Sequence, residues 1–317
     1  MKILANDGIS ALGKSLLEAA GYQVITEKVS QYGLIDAINE QGISIVLVRS
    51  ATTVRKEVID ACPGIKLIGR GGVGMDNIDV SYAREKGITV INTPASSSQS
   101  VAELVMGHMF ATARFLHDSY KNMETGDFSV LKKNYAKGVE LRGKTLGIVG
   151  FGRIGQSLAS YALGCGMNVI GVNRTGESVN VPVQIGGNNV NVTVECSNNL
   201  HDVLGKIDYL SLHVPKQADG KAVIGAAEFA QMKKGIRIVN AARGGVIDED
   251  ALLEALENGT VSAAALDVFE NEPNPRKDLL NHPRIACTPH IGAATVEAQD
   301  RIGEELADQI IGQFGRF

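Results

Sequence analysis

Short apolar runs alternate with amphipathic, helix-like segments along the whole chain, and this alternation limits the folds it can adopt. In the N-terminal third the runs are 3–5, 24–25, 43–48, 67–68 and 88–91. The later runs are 145–149, 169–172, 209–212, 236–239 and 263–266. Runs of this kind indicate parallel strands buried on both faces, with helices as crossover connections. The sequence therefore predicts an α/β protein.

The same pattern divides the chain into two domains. A length of 317 residues suggests about two domains at roughly 150 residues each. A longer helix, predicted for 98–114, separates the two α/β series, and the amphipathic segment 295–314 is too short to form a third domain. We predict two doubly wound, Rossmann-like parallel-sheet domains with an interdomain cleft, one formed by 1–96 plus 291–317 and the other by 97–290.

Composition excludes several classes of function. A net charge of −4 gives no general attraction for a phosphate backbone, so no nucleic-acid partner is expected. The four cysteines show no Cys-x-x-Cys spacing, which predicts neither a disulfide framework nor a metal site. The N-terminal segment becomes polar too soon for a signal peptide, and no apolar run approaches membrane-spanning length. We therefore expect a cytoplasmic protein without a membrane partner.

The segment 150–155, GFGRIG, follows the buried run 145–149 and opens a helix-like segment. Alone, a Gly-x-Gly-x-x-Gly pattern is weak, and a glycine-rich turn without a ligand is the alternative. In this position each glycine has a distinct role, since Gly150 makes a tight turn, Gly152 allows close approach of a pyrophosphate, and Gly155 allows close helix–strand contact. The pattern predicts a dinucleotide cofactor with its pyrophosphate at the helix N-terminus.

The residue that reads the adenosine ribose is expected about 20 residues further on, where NAD sites usually carry Asp or Glu. This chain has Asn173, followed by Arg174 and Thr175. A carboxylate facing a 2′-phosphate at ~4 Å would cost about 4 kcal/mol per unit charge at an effective dielectric constant near 20. Asn173 removes that penalty, and Arg174 and Thr175 could bind the phosphate. Alternatively, Asn173 bonds the ribose of NAD and Arg174 points into solvent. NAD and NADP both remain open.

Residues 179–185 and 190–194 alternate with period two around a Gly-Gly-Asn-Asn segment. This pattern predicts a β-hairpin within the stretch 178–196. We interpret it as a surface insertion without a chemical role.

Arg243, Glu272 and His290 each follow a predicted strand or lie in a loop near one. Hydride transfer to a 2-oxo acid needs a cation that binds the carboxylate, which arginine supplies as a planar fork. It also needs a proton donor, usually histidine, and a neighbouring carboxylate favours the imidazolium form. Each residue alone is better explained as structural. Together, after a dinucleotide-binding pattern, they predict a catalytic set.

Three further cations are candidates for binding an anionic substrate: Arg49, Arg70 and Lys133. Arg49 and Arg70 each end a strand of the first domain, and the backbone N–H groups after Arg70 could bind a carboxylate. The alternative is that both arginines are solvated or paired with acidic neighbours. Lys133 is predicted to lie in an exposed loop, 132–137.

The chain resembles the D-isomer-specific 2-hydroxyacid dehydrogenase family over nearly its full length. The resemblance rests on the segments 69–79, 92–94, 143–148, 241–245, 265–269 and 288–293. It is greatest to the branch that acts on D-3-phosphoglycerate, in a short form without a C-terminal regulatory domain. Feedback inhibition by serine through such a domain is therefore not expected.

The resemblance implies a role for each matching residue. Arg243 would bind the substrate carboxylate, and Glu272 would support His290 as general acid and base. The cofactor would be contacted by Gly150, Gly152, Arg153, Ile154, Gly155, Asn173, Arg174, Thr175, His213, Val214, Pro215, Ala241 and Asp267. The substrate would also be bound by Arg49, Arg70, the backbone of Val73 and Gly74, and Lys133 from a partner subunit. Two positions depart from the family: Asn173 replaces an aspartate, and Lys133 replaces an arginine.

The implied activity is oxidation of D-3-phosphoglycerate to 3-phosphohydroxypyruvate with NAD or NADP, the first step of serine biosynthesis, in a homodimer formed through the cofactor domains. In this interpretation residues 1–96 plus 291–317 bind the substrate and 97–290 bind the dinucleotide. One alternative is an NADPH-dependent hydroxypyruvate or glyoxylate reductase. A more distant alternative is a nucleotide-binding regulatory protein resembling the corepressors that share this fold.

Overall fold

The structure is a computed structural model that describes residues 1–317. It contains two compact units: unit 1 comprises Met1–Ser98 and Ala293–Phe317, and unit 2 comprises Gln99–Gly292. The strands are β1 Lys2–Ala5, β2 Gln23–Ile25, β3 Ile45–Val48, β4 Leu67–Arg70, β5 Thr89–Asn92, β6 Thr145–Val149, β7 Asn168–Val172, β8 Val179–Ile185, β9 Asn188–Val194, β10 Cys196–Ser197, β11 Tyr209–Leu212, β12 Ile236–Asn240, β13 Val261–Leu266 and β14 Ile285–Cys287. The helices are α1 Ala11–Ala19, α2 Leu34–Gln41, α3 Lys56–Ala61, α4 Val80–Glu85, α5 Ser98–Arg114, α6 Leu116–Asn122, α7 Phe128–Tyr135, α8 Arg153–Gly164, α9 His201–Leu204, α10 Ala226–Phe229, α11 Glu249–Glu257, α12 Lys277–Leu280 and α13 Val296–Phe314.

Unit 1 is built on a five-stranded parallel sheet of order β2-β1-β3-β4-β5. Apolar clusters cover both faces, one including residues of α2–α4 and the other residues of α1 and α13. The helices α1 and α13 pack closely, since a Cβ on Gly13 would lie 2.6 Å from the Cα of Gly303. The strand order reverses between β1 and β3, and doubly wound sheets bind ligands at the carboxyl ends of strands at such a point.

Unit 2 is built on a seven-stranded parallel sheet of order β10-β7-β6-β11-β12-β13-β14. Its first strand, β6, lies inside the sheet, and the order reverses there, as in a Rossmann fold. Apolar clusters again cover both faces, and the one that includes α5 and α8 also includes residues of the β8–β9 hairpin. The two sheets confirm the predicted α/β class of doubly wound parallel sheets.

The predicted hairpin forms as β8 and β9, which pair antiparallel. One face is almost all valine, because Val179, Val181 and Val183 lie opposite Val194, Val192 and Val190. Val181, Val183 and Val194 are buried, and the hydroxyl of Ser160 on α8 donates a hydrogen bond of 2.8 Å to the carbonyl of Pro182. The hairpin therefore packs on α8 through its valine face.

One predicted segment is wrong. Residues 132–137 were expected to form a loop, but Lys132 and Lys133 lie in the helix α7. Asp127 caps this helix, since its carboxylate accepts a hydrogen bond of 2.9 Å from the N–H of Val130. The cap outweighs the loop-like composition of the lysine-bearing segment.

No helix combines the length and the apolar character that crossing a membrane would require.

Candidate functional site

The three glycines of the segment 150–155 occupy the turn between β6 and α8 and differ in what surrounds them. Gly150 has φ +91°, and a Cβ there would overlap the carbonyl of His213. A Cβ on Gly155 would lie 2.5 Å from the carbonyl oxygen of Gly150 and 3.0 Å from Ile148 Cγ2. A Cβ on Gly152 would have nothing within 4 Å. Gly150 and Gly155 are thus required by the protein itself, whereas Gly152 faces open space.

The N-terminus of α8 carries free hydrogen-bond donors beside this open space. Gly152 is its N-cap residue, and no side chain caps the first turn. The first N–H groups of a helix without such a cap are available to an anion and lie at the positive end of the helix dipole. These residues fit the pyrophosphate of a dinucleotide, to which the backbone N–H groups of Arg153 and Ile154 would donate.

Asn173 directly follows β7 and shapes the loop 173–177. Its Nδ2 donates to the carbonyl of Glu177 at 3.0 Å, and its Oδ1 accepts from the N–H groups of Thr175 at 3.1 Å and Gly176 at 2.6 Å. Arg174 and Thr175 are exposed on this loop. The amide of Asn173 therefore mainly holds the loop, and no carboxylate takes the position that follows β7.

His213 follows β11 and lies next to the glycine turn. Its Nε2 is 2.9 Å from the hydroxyl of Ser211, while its Nδ1 is buried without a hydrogen-bond partner. Burial of the ring lowers the pKa of His213 to about 4, so the imidazole is neutral near neutral pH. Val214 is half-buried and Pro215 is exposed, so this segment presents a largely apolar, uncharged edge.

Arg243 lies in a tight loop after β12. Asn240 holds the loop at both ends: its Nδ2 donates to the carbonyl of Arg243 at 2.9 Å, and its Oδ1 accepts from the N–H of Ala242 at 3.1 Å. The Arg243 guanidinium donates to the carbonyl of Ala242 at 2.6 Å. A Cβ on Gly244 would overlap the carbonyl of Phe269, so the loop packs directly on the segment that leads to Glu272.

His290 and Glu272 form a pair. The ring nitrogen Nδ1 of His290 lies 2.7 Å from Glu272 Oε2, and both side chains are one-third exposed. The other carboxylate oxygen, Oε1, accepts a hydrogen bond of 3.0 Å from the N–H of Phe269. Glu272 is thereby fixed on both oxygens, and His290 keeps Nε2 available for a reacting group.

Opposing effects set the ionisation of Glu272. Burial raises its pKa, but the hydrogen bonds from His290 and Phe269 and the nearby charge of Arg243 lower it more. The net result is a pKa below the usual range of a glutamate. Glu272 is therefore a carboxylate at neutral pH, and Arg243 contributes to its field.

Asp267 follows β13 and is buried. Its carboxylate accepts hydrogen bonds from the N–H groups of Ile291 at 2.8 Å and Gly292 at 2.9 Å, the two residues after His290. Ala241, the other residue predicted along the nicotinamide side, is half-buried at the start of the Arg243 loop.

In unit 1 the two predicted arginines lie side by side at the carboxyl ends of neighbouring strands. Val48, the last residue of β3, pairs in register with Arg70, the last residue of β4, and Arg49 follows directly. Arg70 turns back over the glycines after it: its Nη1 donates to the carbonyl of Gly71 at 2.7 Å, and a Cβ on Gly72 would overlap its guanidinium.

Val73 and Gly74 continue the loop after Arg70. Val73 is exposed and Gly74 half-buried, and the carbonyl of Val73 accepts a hydrogen bond of 2.7 Å from Asn92 Nδ2. Their backbone is thus held at the edge of the sheet where Arg70 ends β4.

The sequence interpretation missed Asp7, which holds the turn that begins at Arg49. Its carboxylate accepts from the N–H of Arg49 at 2.7 Å and from the N–H and hydroxyl of Thr52 at 2.9 and 2.7 Å. Asp7 follows β1, beside the reversal of strand order, and that position was the signal that could have identified it.

Lys133 is exposed on α7, in unit 2, and forms no ion pair within the chain. No hydrogen bond or ion pair links it to the other predicted site residues, which leaves its ammonium group available to a ligand or to another molecule.

Comparisons with known proteins identify what this chain resembles. The model of the D-isomer specific 2-hydroxyacid dehydrogenase, NAD binding domain, matches residues 106–292. A D-3-phosphoglycerate dehydrogenase from Methanocaldococcus jannaschii is 41% identical over 310 residues, covering 98% of this chain and 57% of that protein. A hydroxypyruvate reductase from Thermotoga maritima is 41% identical over 303 residues, covering 95% of this chain and 94% of that protein. The chain thus spans little more than half of the first relative and nearly all of the second.

Among solved structures, an NADPH-dependent glyoxylate/hydroxypyruvate reductase from Sinorhizobium meliloti, in complex with NADP and malonate, superposes with a TM-score of 0.79 at 26% identity. The match covers 99% of this chain and 93% of that one.

Proposed function

Because the chain belongs to the D-isomer specific 2-hydroxyacid dehydrogenase family, whose members are nicotinamide-dependent oxidoreductases acting on CH–OH groups, we propose that it oxidises D-3-phosphoglycerate to 3-phosphohydroxypyruvate. This reaction is the first step of serine biosynthesis. The His290–Glu272 pair at 2.7 Å carries the dehydrogenase chemistry, and the choice of a phosphorylated substrate is supported by Arg49 and Arg70 at adjacent strand ends. Unit 2 would hold the dinucleotide, and unit 1 would hold the substrate phosphate.

His290 acts as the general base in the oxidation. Its Nδ1 is bonded to Glu272, so Nε2 receives the proton from the C2 hydroxyl as the C2–O bond becomes a carbonyl. A nicotinamide bound in unit 2 would supply the acceptor for the C2 hydrogen and its electron pair. The Glu272 carboxylate stabilises the imidazolium that results. In the reverse direction the same Nε2–H returns the proton.

Arg243 binds the substrate carboxylate and orients the C2 oxygen. A guanidinium is permanently charged and presents a planar fork of donors, which suits a carboxylate next to a carbonyl. Asn240 and the backbone of Phe269 hold its loop, so the fork meets the substrate with little loss of conformational freedom.

Arg49 and Arg70 bind the phosphate of the substrate, and the backbone N–H groups of Val73 and Gly74 bind its carboxylate. Two arginines at adjacent strand ends match the two negative charges of a phosphate group. An unphosphorylated substrate would not need this positive charge. Lys133 of a second subunit adds a third cation, which as a point charge contributes less directional binding than an arginine.

The cofactor is held by the turn 150–155 at its pyrophosphate, by His213, Val214 and Pro215 near the adenosine, and by Ala241 and Asp267 near the nicotinamide. The loop that Asn173 shapes has no carboxylate at the position that follows β7, and it exposes Arg174 and Thr175. Such a loop accommodates the 2′-phosphate of NADP as well as the free ribose of NAD.

This loop favours a second candidate function, reduction of hydroxypyruvate or glyoxylate with NADPH. The relative named hydroxypyruvate reductase, at 41% identity, is as similar to this chain as the phosphoglycerate dehydrogenase is. The chemistry at His290, Glu272 and Arg243 is the same for both candidates. They differ in the use of Arg49 and Arg70.

We also propose a homodimer, formed through α5, α6 and α7. Six large apolar side chains are exposed on these helices or at the end of α6: Phe110, Leu116, Tyr120, Met123, Phe128 and Val130. Exposed apolar residues gathered in this way mark interaction surfaces. The cytoplasmic location expected from the sequence stays a prediction.

The deciding experiment measures nicotinamide absorbance with purified protein. Phosphohydroxypyruvate and hydroxypyruvate are each reduced with NADH and with NADPH, and kcat/KM is compared. A preference of at least about a hundredfold for the phosphorylated substrate, lost in Arg49→Gln and Arg70→Gln, supports phosphoglycerate dehydrogenase. Equal or reversed preference makes the chain a hydroxypyruvate reductase. No turnover with any 2-oxo acid contradicts both and favours a regulatory protein.

A further inference from the structure

A buried histidine without an assigned role lies next to the turn that carries His290. His108 is on α5, only 6% exposed, and its Nε2 is 3.0 Å from the hydroxyl oxygen of Thr288. Thr288 is two residues before His290 and follows β14. All of these residues belong to unit 2.

The hydroxyl of Thr288 also contacts the buried carboxylate of Asp267. It lies 2.6 Å from Asp267 Oδ1, which also accepts the N–H of Ile291, while Oδ2 accepts the N–H of Gly292. Asp267 thus binds the chain on both sides of His290. The network runs from α5 through Thr288 to the carboxylate that closes the turn.

His290 needs such support because its backbone is left-handed, with φ +54°. For a residue with a Cβ this conformation is strained. The turn keeps His290 in this conformation only while the hydrogen bonds of Asp267 to the residues before and after His290 are intact. A loosened turn would displace the imidazole from its partner Glu272 and from the substrate.

The direction of the hydrogen bonds follows from proton counting. The oxygens of Asp267 accept two backbone N–H groups and the Thr288 hydroxyl, so the single proton of that hydroxyl points to Asp267. His108 must then donate from Nε2 to the lone pair of Thr288. Burial lowers the pKa of His108, which favours the neutral ring.

We propose that His108 is a positioning residue for His290, acting by donating a hydrogen bond to Thr288 and so orienting the hydroxyl that Asp267 uses to close the left-handed turn. The inference rests on the proposed acid–base role of His290. It adds a residue from a helix that carries none of the predicted catalytic groups.

The first test reads the proton position directly, without any assay. Long-range proton–nitrogen NMR of the imidazoles near pH 7.5 shows each histidine's tautomer, and loss of one signal in His108→Gln assigns His108. The proposal requires a neutral ring protonated on Nε2. A ring protonated on Nδ1 would reverse the bond and overturn it.

The second test separates positioning from packing. His108→Met removes the donor and keeps the apolar bulk, while His108→Gln keeps an N–H near the position of Nε2. We expect His108→Met to lower kcat about tenfold with KM changed less than twofold, and His108→Gln to stay within twofold of the parent. Met109→Leu, a fully buried neighbour on the same helix, serves as the control and should leave kcat unchanged.

A double-mutant cycle tests the route of the effect. Thr288→Val removes the hydroxyl, and adding His108→Met to it should lower kcat no further, because the contact is already lost. Additive losses, or equal losses in His108→Met and His108→Gln, would overturn the proposal.

Failure of the proposed function gives a different result. If the parent protein turns over no 2-oxo acid, the imidazole signal of His290 replaces kcat as the readout. The proposal then requires that signal to move in His108→Met and to stay in place in His108→Gln, and an unmoved signal in both contradicts it.

Discussion

The candidate catalytic side chains lie in short loops, and their positions depend on neighbours rather than on regular secondary structure. Glu272 has one carboxylate oxygen on His290 and the other on a backbone N–H. Asn240 holds both ends of the Arg243 loop. Because each group is fixed before a ligand binds, the substrate need not order it, and the proposed chemistry gains from that preorganisation.

Of the two residues His290 and Glu272, we expect substitution of His290 to lower kcat more. His290→Ala removes the base and should lower kcat by about 10²- to 10⁴-fold. Glu272→Gln keeps an acceptor for Nδ1–H but removes the charge that stabilises the imidazolium, so its loss should be smaller, about tenfold. Steady-state kinetics check both, with cofactor affinity as the control, which should change less than twofold. Normal turnover in His290→Ala would refute its role.

Because burial lowers the pKa of His213, we expect the free energy of unfolding to depend on pH. Its folded-state pKa is lowered by burial from 6.5 to about 4, so between these values the unfolded chain binds a proton that the folded chain does not. The free energy of unfolding should therefore fall as the pH drops from 6.5 to about 4, by about 3 kcal/mol from this residue, and this contribution should change no further below pH 4.

Urea unfolding of the cofactor-free protein from pH 7.5 to 4 measures this effect, with His213→Gln as the comparison. Glutamine does not titrate and can still reach Ser211, so the difference between the two curves isolates the histidine. Parallel curves for parent and variant would show that His213 carries none of the acid sensitivity.

At the scale of single elements, the turn before α8 separates what folding needs from what binding needs. A Cβ on Gly155 would collide with the carbonyl of Gly150, whereas one on Gly152 would meet nothing within the protein. Gly152 also has ordinary extended backbone angles, φ −85° and ψ −156°. Alanine at Gly155 should therefore affect stability, whereas alanine at Gly152 should affect dinucleotide binding.

Gly155→Ala should cost about 1–2 kcal/mol of stability, because overpacking outweighs the gain in helix propensity. Gly152→Ala should leave stability within about 0.5 kcal/mol and weaken dinucleotide binding at least about tenfold, because its methyl group enters the space of the pyrophosphate. Thermal unfolding and a titration of NADH fluorescence measure the two effects. Unweakened binding in Gly152→Ala would place the pyrophosphate elsewhere.

Elements with a long, regular pattern could be predicted from the sequence, and those set by a single contact could not. The helix α5 and the strands β6 and β11 have the predicted bounds. The strands β10 and β14 have two and three residues, too few to show a pattern. The helix α7 depends on one capping carboxylate, and its lysines suggested a loop. The contact between His108 and Thr288 joins residues 180 positions apart, which no local signal reveals.

At the scale of the whole molecule, the exposed apolar side chains on α5–α7 predict self-association. Phe128 is 67% exposed, so Phe128→Asp should leave the fold intact and shift the proposed dimer toward monomer. Sedimentation velocity at micromolar concentration measures the change. Tyr32→Asp is the matched control, because Tyr32 is 99% exposed in unit 1, away from these helices in the chain. A monomeric parent protein, or a dimer unaffected by Phe128→Asp, would contradict this interface.

The helix α13 completes a face of the unit 1 sheet although its residues come last in the chain. Ile302, Leu306 and Ile310 share one apolar cluster with Ile3, Leu17 and Leu47. During synthesis, the first 98 residues of unit 1 are therefore made before the whole of unit 2, and α13 is made only after it. At roughly 5–20 residues per second that delay is on the order of 10–40 s. During synthesis the later unit completes its core first, and the earlier one exposes an apolar sheet face that a chaperone can bind.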